Sequence, residues 1–241
     1  MNFTKYSQIY FIFSGLLILT SIFSLMLFGL KPGIDFTGGS ILELTYEGPR
    51  PSVEEVRAAL SEVVGPVFVQ PTDQNGLIIR MKDIPEETHQ EILGILSQGY
   101  QMEERRFESI GPVIGKELKE KTKVVIIFSL LAIVLYIALA FRKISRPVSS
   151  WQYGLASLAI LFHDILIPLG IFSLLGKLYG VQITIPVITA LLTVVGYAIN
   201  NVVVVYDRIR ENLLKFGKLD FAQITNQSVN QTLTRQINTS L

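Results

Sequence analysis

His163 and Asp164 stand side by side inside an apolar run, Trp151–Gly176. An ionised Asp at the centre of a membrane-crossing helix costs roughly 2.5–3.5 kcal/mol on insertion scales, so such a group faces a bundle interior or a water-filled path, or is held neutral. Two readings of Asp164 stand together: a protonatable group in a relay, or an interhelical hydrogen bond that fixes packing. Consecutive helix residues point about 100° apart, so His163 is not expected to share a face with Asp164. Its expected role is packing or hydrogen bonding. A second polar pair, Asn200 and Asn201, lies in another uncharged run, Val181–Tyr206. Amides do not exchange protons near neutral pH. The stronger expectation is interhelical hydrogen bonding, with Gly196 and Ala198 allowing close approach.

Gly33-Ile34-Asp35-Phe36-Thr37-Gly38-Gly39 is the third feature. Its glycines and central Asp suit a tight turn joining a membrane span to a folded domain. It is not a phosphate loop, because no Gly-Lys-Ser/Thr ending follows. No catalytic constellation is found. The chain has no cysteine, and its two histidines, His89 and His163, fall on opposite sides of a span boundary. Nucleophile-elbow and zinc-protease motifs are absent. A single acid inside a span argues against an intramembrane aspartyl protease. The sequence therefore implies no enzyme, no metal and no cofactor.

Four uncharged or nearly uncharged runs are long enough to cross a bilayer: Ile9–Leu30, Val124–Phe141, Trp151–Gly176 and Val181–Tyr206. The first is too long for a signal-peptide core and lacks a small-residue cleavage site, so it is expected to be an anchor. Charged residues make up 17% of the chain, low against the usual ~25%. Residues 31–120 carry 16 acidic and 9 basic side chains, and the remainder 4 acidic and 12 basic. No basic face for nucleic acid is evident. Arg142, Lys143 and Arg146 follow the second run, and Arg208, Arg210, Lys215 and Lys218 follow the fourth, against Lys177 alone between the third and fourth. Positive loops stay cytoplasmic. The N-terminus is thus expected inside, and residues 31–123 outside.

The outer segment reads as strand Ile41–Glu47, helix Ser52–Val64, strands Val67–Pro71 and Leu77–Met81, a helix opened by Pro85, and an extended run Gln101–Ile110. Ser52 and Glu55 form a capping-box pattern before an apolar face of Val53, Val56, Leu60 and Val63. Ile92, Leu93, Ile95 and Leu96 are the apolar residues of the second helix. The order β-α-β-β-α-β is that of the ferredoxin-like split unit. The expected fold is a membrane α-helical bundle with an extracytoplasmic α+β domain. Its parts are 1–32 (tail and first span), 33–120 (outer domain), 121–206 (spans two to four) and 207–241. In the last part Asp207–Phe216 reads as a charged amphipathic helix and Thr225–Leu241 as a polar segment on the cytoplasmic side. The Asn-x-Ser/Thr triplets at Asn226, Asn230 and Asn238 read as chance there.

The Gly33–Gly39 motif resembles the signature of the SecD/SecF family, accessory subunits of the bacterial Sec translocon. Ser109-Ile110-Gly111-Pro112-Val113-Ile114-Gly115 is similar to the family's segment before span two, and Phe162-His163-Asp164-Ile165 to its His-Asp motif. Gly196–Asn201, continuing through Val203–Asn212, resembles span four of the SecF branch, and Asn230–Leu241 the entry to its fifth span. The resemblance implies a plasma (inner) membrane subunit that works with SecD and a SecYEG-type translocon to export preproteins on the proton-motive force. It implies a proton path to which Asp164, Asn201 and Arg235 are candidates, and a joint at Gly33, Asp35, Gly38 and Gly39. Membrane lipid is the remaining partner. Two departures stand out. The family usually has Asp at the position of Asn201 and Thr at that of Val202. It also has six spans, so the last two are expected to be missing here, through truncation or biology. A structural subunit without proton coupling, or a proton-driven exporter of the related RND superfamily, are the alternatives.

Overall fold

The computed structural model describes residues 2–140, 150–216 and 219–240, with backbone alone for Ala138, Ala140, Ser150 and Ser240. Arg142, Lys143, Arg146 and Lys218, on which part of the expected orientation rests, lie outside the described residues, as does Phe141. The chain divides into two compact units: Lys31–Val124 with Gln182–Ile185, and Met1–Leu30 with Val125–Val181 and Pro186–Leu241.

The first of these units opens with a one-turn helix, α2 (Ile34–Thr37), which follows helix α1 (Ser7–Phe28) of the other unit. Strand β1 (Gly39–Tyr46), helix α3 (Val53–Val64), strands β2 (Phe68–Thr72) and β3 (Gly76–Met81), helix α4 (Glu86–Leu96) and strand β4 (Met102–Ile110) come next. The four strands form one antiparallel sheet in the order β2-β3-β1-β4. Alternation along β1 turns Leu42, Leu44 and Tyr46 inward. They meet Leu77 and Ile79 of β3 and the buried stripe Val56, Leu60, Ile92 and Leu96 of the two helices. Val64, rather than the expected Val63, completes the packed face of α3. The Ser52–Glu55 capping box forms in both directions, at 3.2 and 2.8 Å. Pro71 is tolerated because β2 is an edge strand. Arg105 is the extra residue where the β1–β4 register shifts, a bulge beside Glu43 and Leu44.

In the other unit, three helices are long and apolar enough to cross a membrane among the described residues: α1, most of α6 (Ser150–Tyr179) and α7 (Ile185–Lys215). Helix α5 (Pro112–Ala140) carries the remaining apolar run at its C-terminal end, and α8 (Phe221–Ser240) closes the chain. Small residues let α1 and α6 touch. A Cβ built on Gly170 falls 2.4 Å from Cβ of Ser21. Ser24 Oγ donates to the carbonyl of Gly170 at 3.1 Å, and Ser173 Oγ donates to that of Ser24 at 2.9 Å. Ser21–Gly170 and Ser24–Ser173 keep one register, so the two helices run parallel. Such small-residue seams drive helix association where lipid removes the hydrophobic drive. Elsewhere α1 presents Phe11 and Met26, 77% and 81% exposed, as a lipid-facing surface would.

Two expectations about α7 change. Its helix begins at Ile185, not Val181, because Ile183 is held in an extended bridge with Pro32 instead. The charged stretch Asp207–Lys215 is not a separate helix but the end of the same rod, about 46 Å long at 1.5 Å per residue. Helix α8 folds back along it. Asn212 donates to Ser228 Oγ and Gln231 Oε1 at 2.8 and 2.9 Å, Arg208 Nε donates to Gln231 at 2.6 Å, and Thr239 reaches Asn201 at 2.9 Å. As residue numbers fall along α7 they rise along α8, which defines an antiparallel pair with a polar seam.

Candidate functional site

The glycine motif is built differently from a plain turn. Gly33 N–H donates to the Ile183 carbonyl and Ile183 N–H to that of Lys31, each at 2.7 Å, around a parallel bridge of Pro32 with Ile183. A Cβ on Gly33 would fall 2.9 Å from Thr184 Cγ2. The chain then makes the single turn α2, and Asp35 aims its carboxylate at the N-terminus of α7: Oδ2 accepts from Ile185 N–H at 2.8 Å. That amide is among the donors a helix leaves unpaired in its first turn, where a negative charge also complements the helix dipole. Thr37 Oγ1 donates to the Gly33 carbonyl at 3.0 Å.

Gly38 and Gly39 have φ of +73° and +130°, values that favour glycine. Space is equally restricted. A Cβ on Gly38 would lie 2.7 Å from Pro112 Cα, one on Gly39 2.8 Å from the Met81 carbonyl oxygen, and one on Gly115 2.7 Å from Gly38 N. The two glycine-bearing motifs of the sequence, 33–39 and 109–115, therefore pack on each other. Behind them, Ser40 Oγ accepts from Ile84 N–H and pairs with Ser109 Oγ at 2.7 Å, and Ser109 donates to Asp83 at 2.6 Å.

In the helical unit, His163 Nδ1 lies 2.8 Å from Asp164 Oδ1. This corrects the expectation that the two side chains diverge. Both are flexible enough to turn back across the 100° between them, and each is about 30% exposed. Pro168, inside α6, has no N–H to give the carbonyl of Asp164 four residues earlier, so the ladder opens at this pair. Thr239 Oγ1 lies 2.9 Å from Asn201 Oδ1 and also 2.9 Å from the backbone carbonyl of Arg235, one turn back on its own helix. Asn200 and Arg235 line one cavity of about 560 Å³, with Asp207, Arg208, Arg210 and Glu211 among its walls. Within it Arg208 pairs with Glu211, and Arg210 with Asp207 at 3.6 Å. Among the described residues, no ion pair joins Asp164 to Arg235. Gly196 does not provide a close approach: no heavy atom lies within 4 Å of its Cβ position among the described residues. Gly170 does, and the Ser/Gly spacing Ser21, Ser24, Gly170, Ser173 was the signal for it.

One residue with no role in the sequence reading is set in the sheet domain. His89 is 4% exposed. It stacks on Phe107 with ring centroids 3.7 Å apart, and sits 3.1 Å from Glu86 and 3.3 Å from Glu104. Hydrogen bonds from Gln90 and His89 hold the Glu86 carboxyl below the usual carboxylate range. The Glu-x-x-His spacing at 86–89 was the available signal.

A cored α+β domain in the same chain as three helices long and apolar enough to cross a membrane defines a membrane protein with an accessory domain. The chain belongs to the SecD/SecF family of protein export membrane proteins. Residues 93–241 match its C-terminal region and residues 23–49 its GG motif. The chain is 37% identical over 255 residues to the protein translocase subunit SecF of Thermobaculum terrenum and 37% over 251 residues to that of Vibrio alginolyticus. Both alignments cover 100% of this chain, and 79% and 75% of those relatives. Among solved structures it resembles SecDF of Thermus thermophilus, a translocon-associated membrane protein, with TM-score 0.84 and 32% identity over 100% of this chain. A super-membrane-facing form of SecDF matches with TM-score 0.65. The chain spans 32% of the length of each SecDF chain.

Proposed function

We propose that the chain is a SecF-type accessory subunit of the Sec translocase, acting with SecD beside a SecYEG-type translocon to promote preprotein export. The observation that carries this reading is the joint. The Gly33–Gly39 motif seats Gly38 against the 109–115 segment and ties Asp35 to the first residue of α7. This reading takes the motif as the joint between the first span and the folded domain. In this reading the protein is a multi-pass protein of the bacterial inner membrane, with the apolar end of α5 as the second of its four spans. The N-terminus is cytoplasmic and residues 31–123 lie outside. The β-α-β-β-α-β domain, ferredoxin-like in its strand order, handles the emerging preprotein. No catalytic step is involved. Proton entry supplies the work: one charge crossing ~100 mV yields about 2.3 kcal/mol, enough for a modest domain motion. Asp164, Asn201 and Arg235 are the candidate path, with His163 and Asn200 as polar packing partners. The Gly33–Asp35–Gly38–Gly39 joint is the hinge.

A second reading is favoured by one observation. Asn201 offers an amide to Thr239 where the family usually offers a carboxylate, which suits a structural subunit with proton coupling left to SecD. Proteoliposomes holding the translocon, SecD and this chain separate the two. A motor subunit makes preprotein release depend on an imposed proton gradient, and replacing Gly38→Pro abolishes the gain. A structural subunit gives the same release with and without the gradient.

A further inference from the structure

We infer that the polar cavity between α7 and α8 binds a phosphate group, with Arg235 as its principal donor, and that the headgroup of an anionic phospholipid is the source its position favours. The cavity, about 560 Å³, is walled by three guanidiniums, Arg208, Arg210 and Arg235, against two carboxylates, Asp207 and Glu211. The carboxylates do not account for all three arginines. Glu211 is shared between Arg208 and Lys215, and Asp207 meets Arg210 at 3.6 Å. Among the described residues the Arg235 guanidinium has no hydrogen-bond or ion-pair partner. Its planar fork of N–H donors suits phosphate geometry. The wall beside it is fixed. Arg208 Nε donates at 2.6 Å to Gln231, which also accepts from the buried Asn212. Thr232 is 6% exposed and donates to the Ser228 carbonyl. A phosphate entering here meets donors already in place, which lowers the cost of binding.

Position supplies the other half of the ligand. Ile185–Tyr206 of α7 carries no charged side chain, and Asp207 is the first. The cavity straddles that change, because Val203 and Val204 line it together with the charged residues. A helix crossing a bilayer makes this change at headgroup level, where basic pockets between helices take anionic lipid headgroups. The phosphate meets the guanidiniums, and the start of the acyl chains meets the two valines.

The test rests on α7 crossing a bilayer and not on export. No proton gradient enters it, so its outcome is independent of the path proposed for Arg235. Native mass spectrometry of the full chain in detergent micelles measures retention of phosphatidylglycerol in competition with phosphatidylcholine, whose choline cancels the phosphate charge. The parent retains one phosphatidylglycerol in preference. Arg235→Gln lowers that affinity about tenfold, the worth of one charge-assisted contact. Arg235→Lys, which keeps the charge and loses the fork, falls between. Arg105→Gln, at an exposed arginine of the sheet domain, retains the lipid as the parent does. If Arg235→Gln does not fold, judged by its thermal midpoint, Arg210→Gln carries the same comparison. Isothermal titration of inorganic phosphate into the same micelles separates the two sources. Saturable binding that Arg235→Gln weakens, with no preference between the lipids, keeps the site and assigns it to free phosphate. Equal lipid retention and equal phosphate binding in the parent and the cavity variants overturn the inference.

Discussion

The Thr239 hydroxyl stands 2.9 Å from the side-chain oxygen of Asn201, bringing α8 back to the level of the polar centre of α7. This contact pairs a neutral amide, at a position for which a proton-path role is proposed, with a hydroxyl of α8. Replacing Asn201→Asp keeps an acceptor for Thr239 and adds a titratable group. The expected outcome is export that is faster and more sensitive to a protonophore than with the parent chain, read as precursor clearance with and without the uncoupler. Equal sensitivity in both supports the structural reading.

The seam between α7 and α8 depends on Asn212, which is 1% exposed and donates to Ser228 and Gln231. Asn212→Ala leaves the Gln231 oxygen with Arg208 alone and removes two bonds from a closed site. The expected cost is about 1–3 kcal/mol, seen as trypsin cutting at Arg235 at lower denaturant concentration than in the parent.

Gly170 is the tightest contact between α1 and α6. Its Cβ position overlaps Ser21 Cα, Cβ and Oγ at 2.4–2.5 Å, and all of these belong to a helix that cannot shift locally. Gly170→Leu separates the pair. Overpacking of this kind costs at least about 1–3 kcal/mol, visible as a lower midpoint in thermal unfolding of micelle-held protein. Gly196→Ala, which meets open space, leaves that midpoint within error.

Tyr46 sits in the domain core at 2% exposure, and its hydroxyl has no hydrogen-bond partner among the described residues. Burial, and then the neighbouring Tyr100, push its pKa up to about 12. The folded value lies above the unfolded one, so the native state holds the proton longer. Stability is full below pH ~10 and is lost as pH rises from there through the folded pKa, by up to about 2–3 kcal/mol for a raise of this size. Tyr46→Phe removes this loss and the unpaired hydroxyl together. Urea titrations at pH 9 and pH 11.5 read it: the parent's midpoint falls between the two, and that of the variant falls less.

Much of the sheet domain was legible because its signals are local. The Ser52–Glu55 box, the alternation of Leu42, Leu44 and Tyr46, and the acidic first turn at Glu86–Glu87 each follow from neighbours within four residues. The misreadings share the opposite property. Ile183 continues an uncharged run into α7, yet it forms extended pairings with Lys31 and Gly33, partners about 150 positions away. His163 and Asp164 meet through side-chain rotamers, which helical spacing does not report. Gly170 differs from Gly196 in its serine neighbours, Ser173 on its own helix and Ser21 and Ser24 on α1, a pattern spread over segments about 150 positions apart. Asp35 was read as a turn residue because its true partner, the amide of Ile185, carries no sequence signature at all.

The most direct test of the export account is a pulse-chase of a secreted precursor in bacteria lacking the SecF-type gene, complemented with this 241-residue chain. The account predicts that precursor accumulates without the gene, clears when the chain is supplied, and accumulates again when Asp35→Ala is supplied at equal membrane abundance. Precursor that persists with the parent chain present in the membrane at normal levels contradicts it.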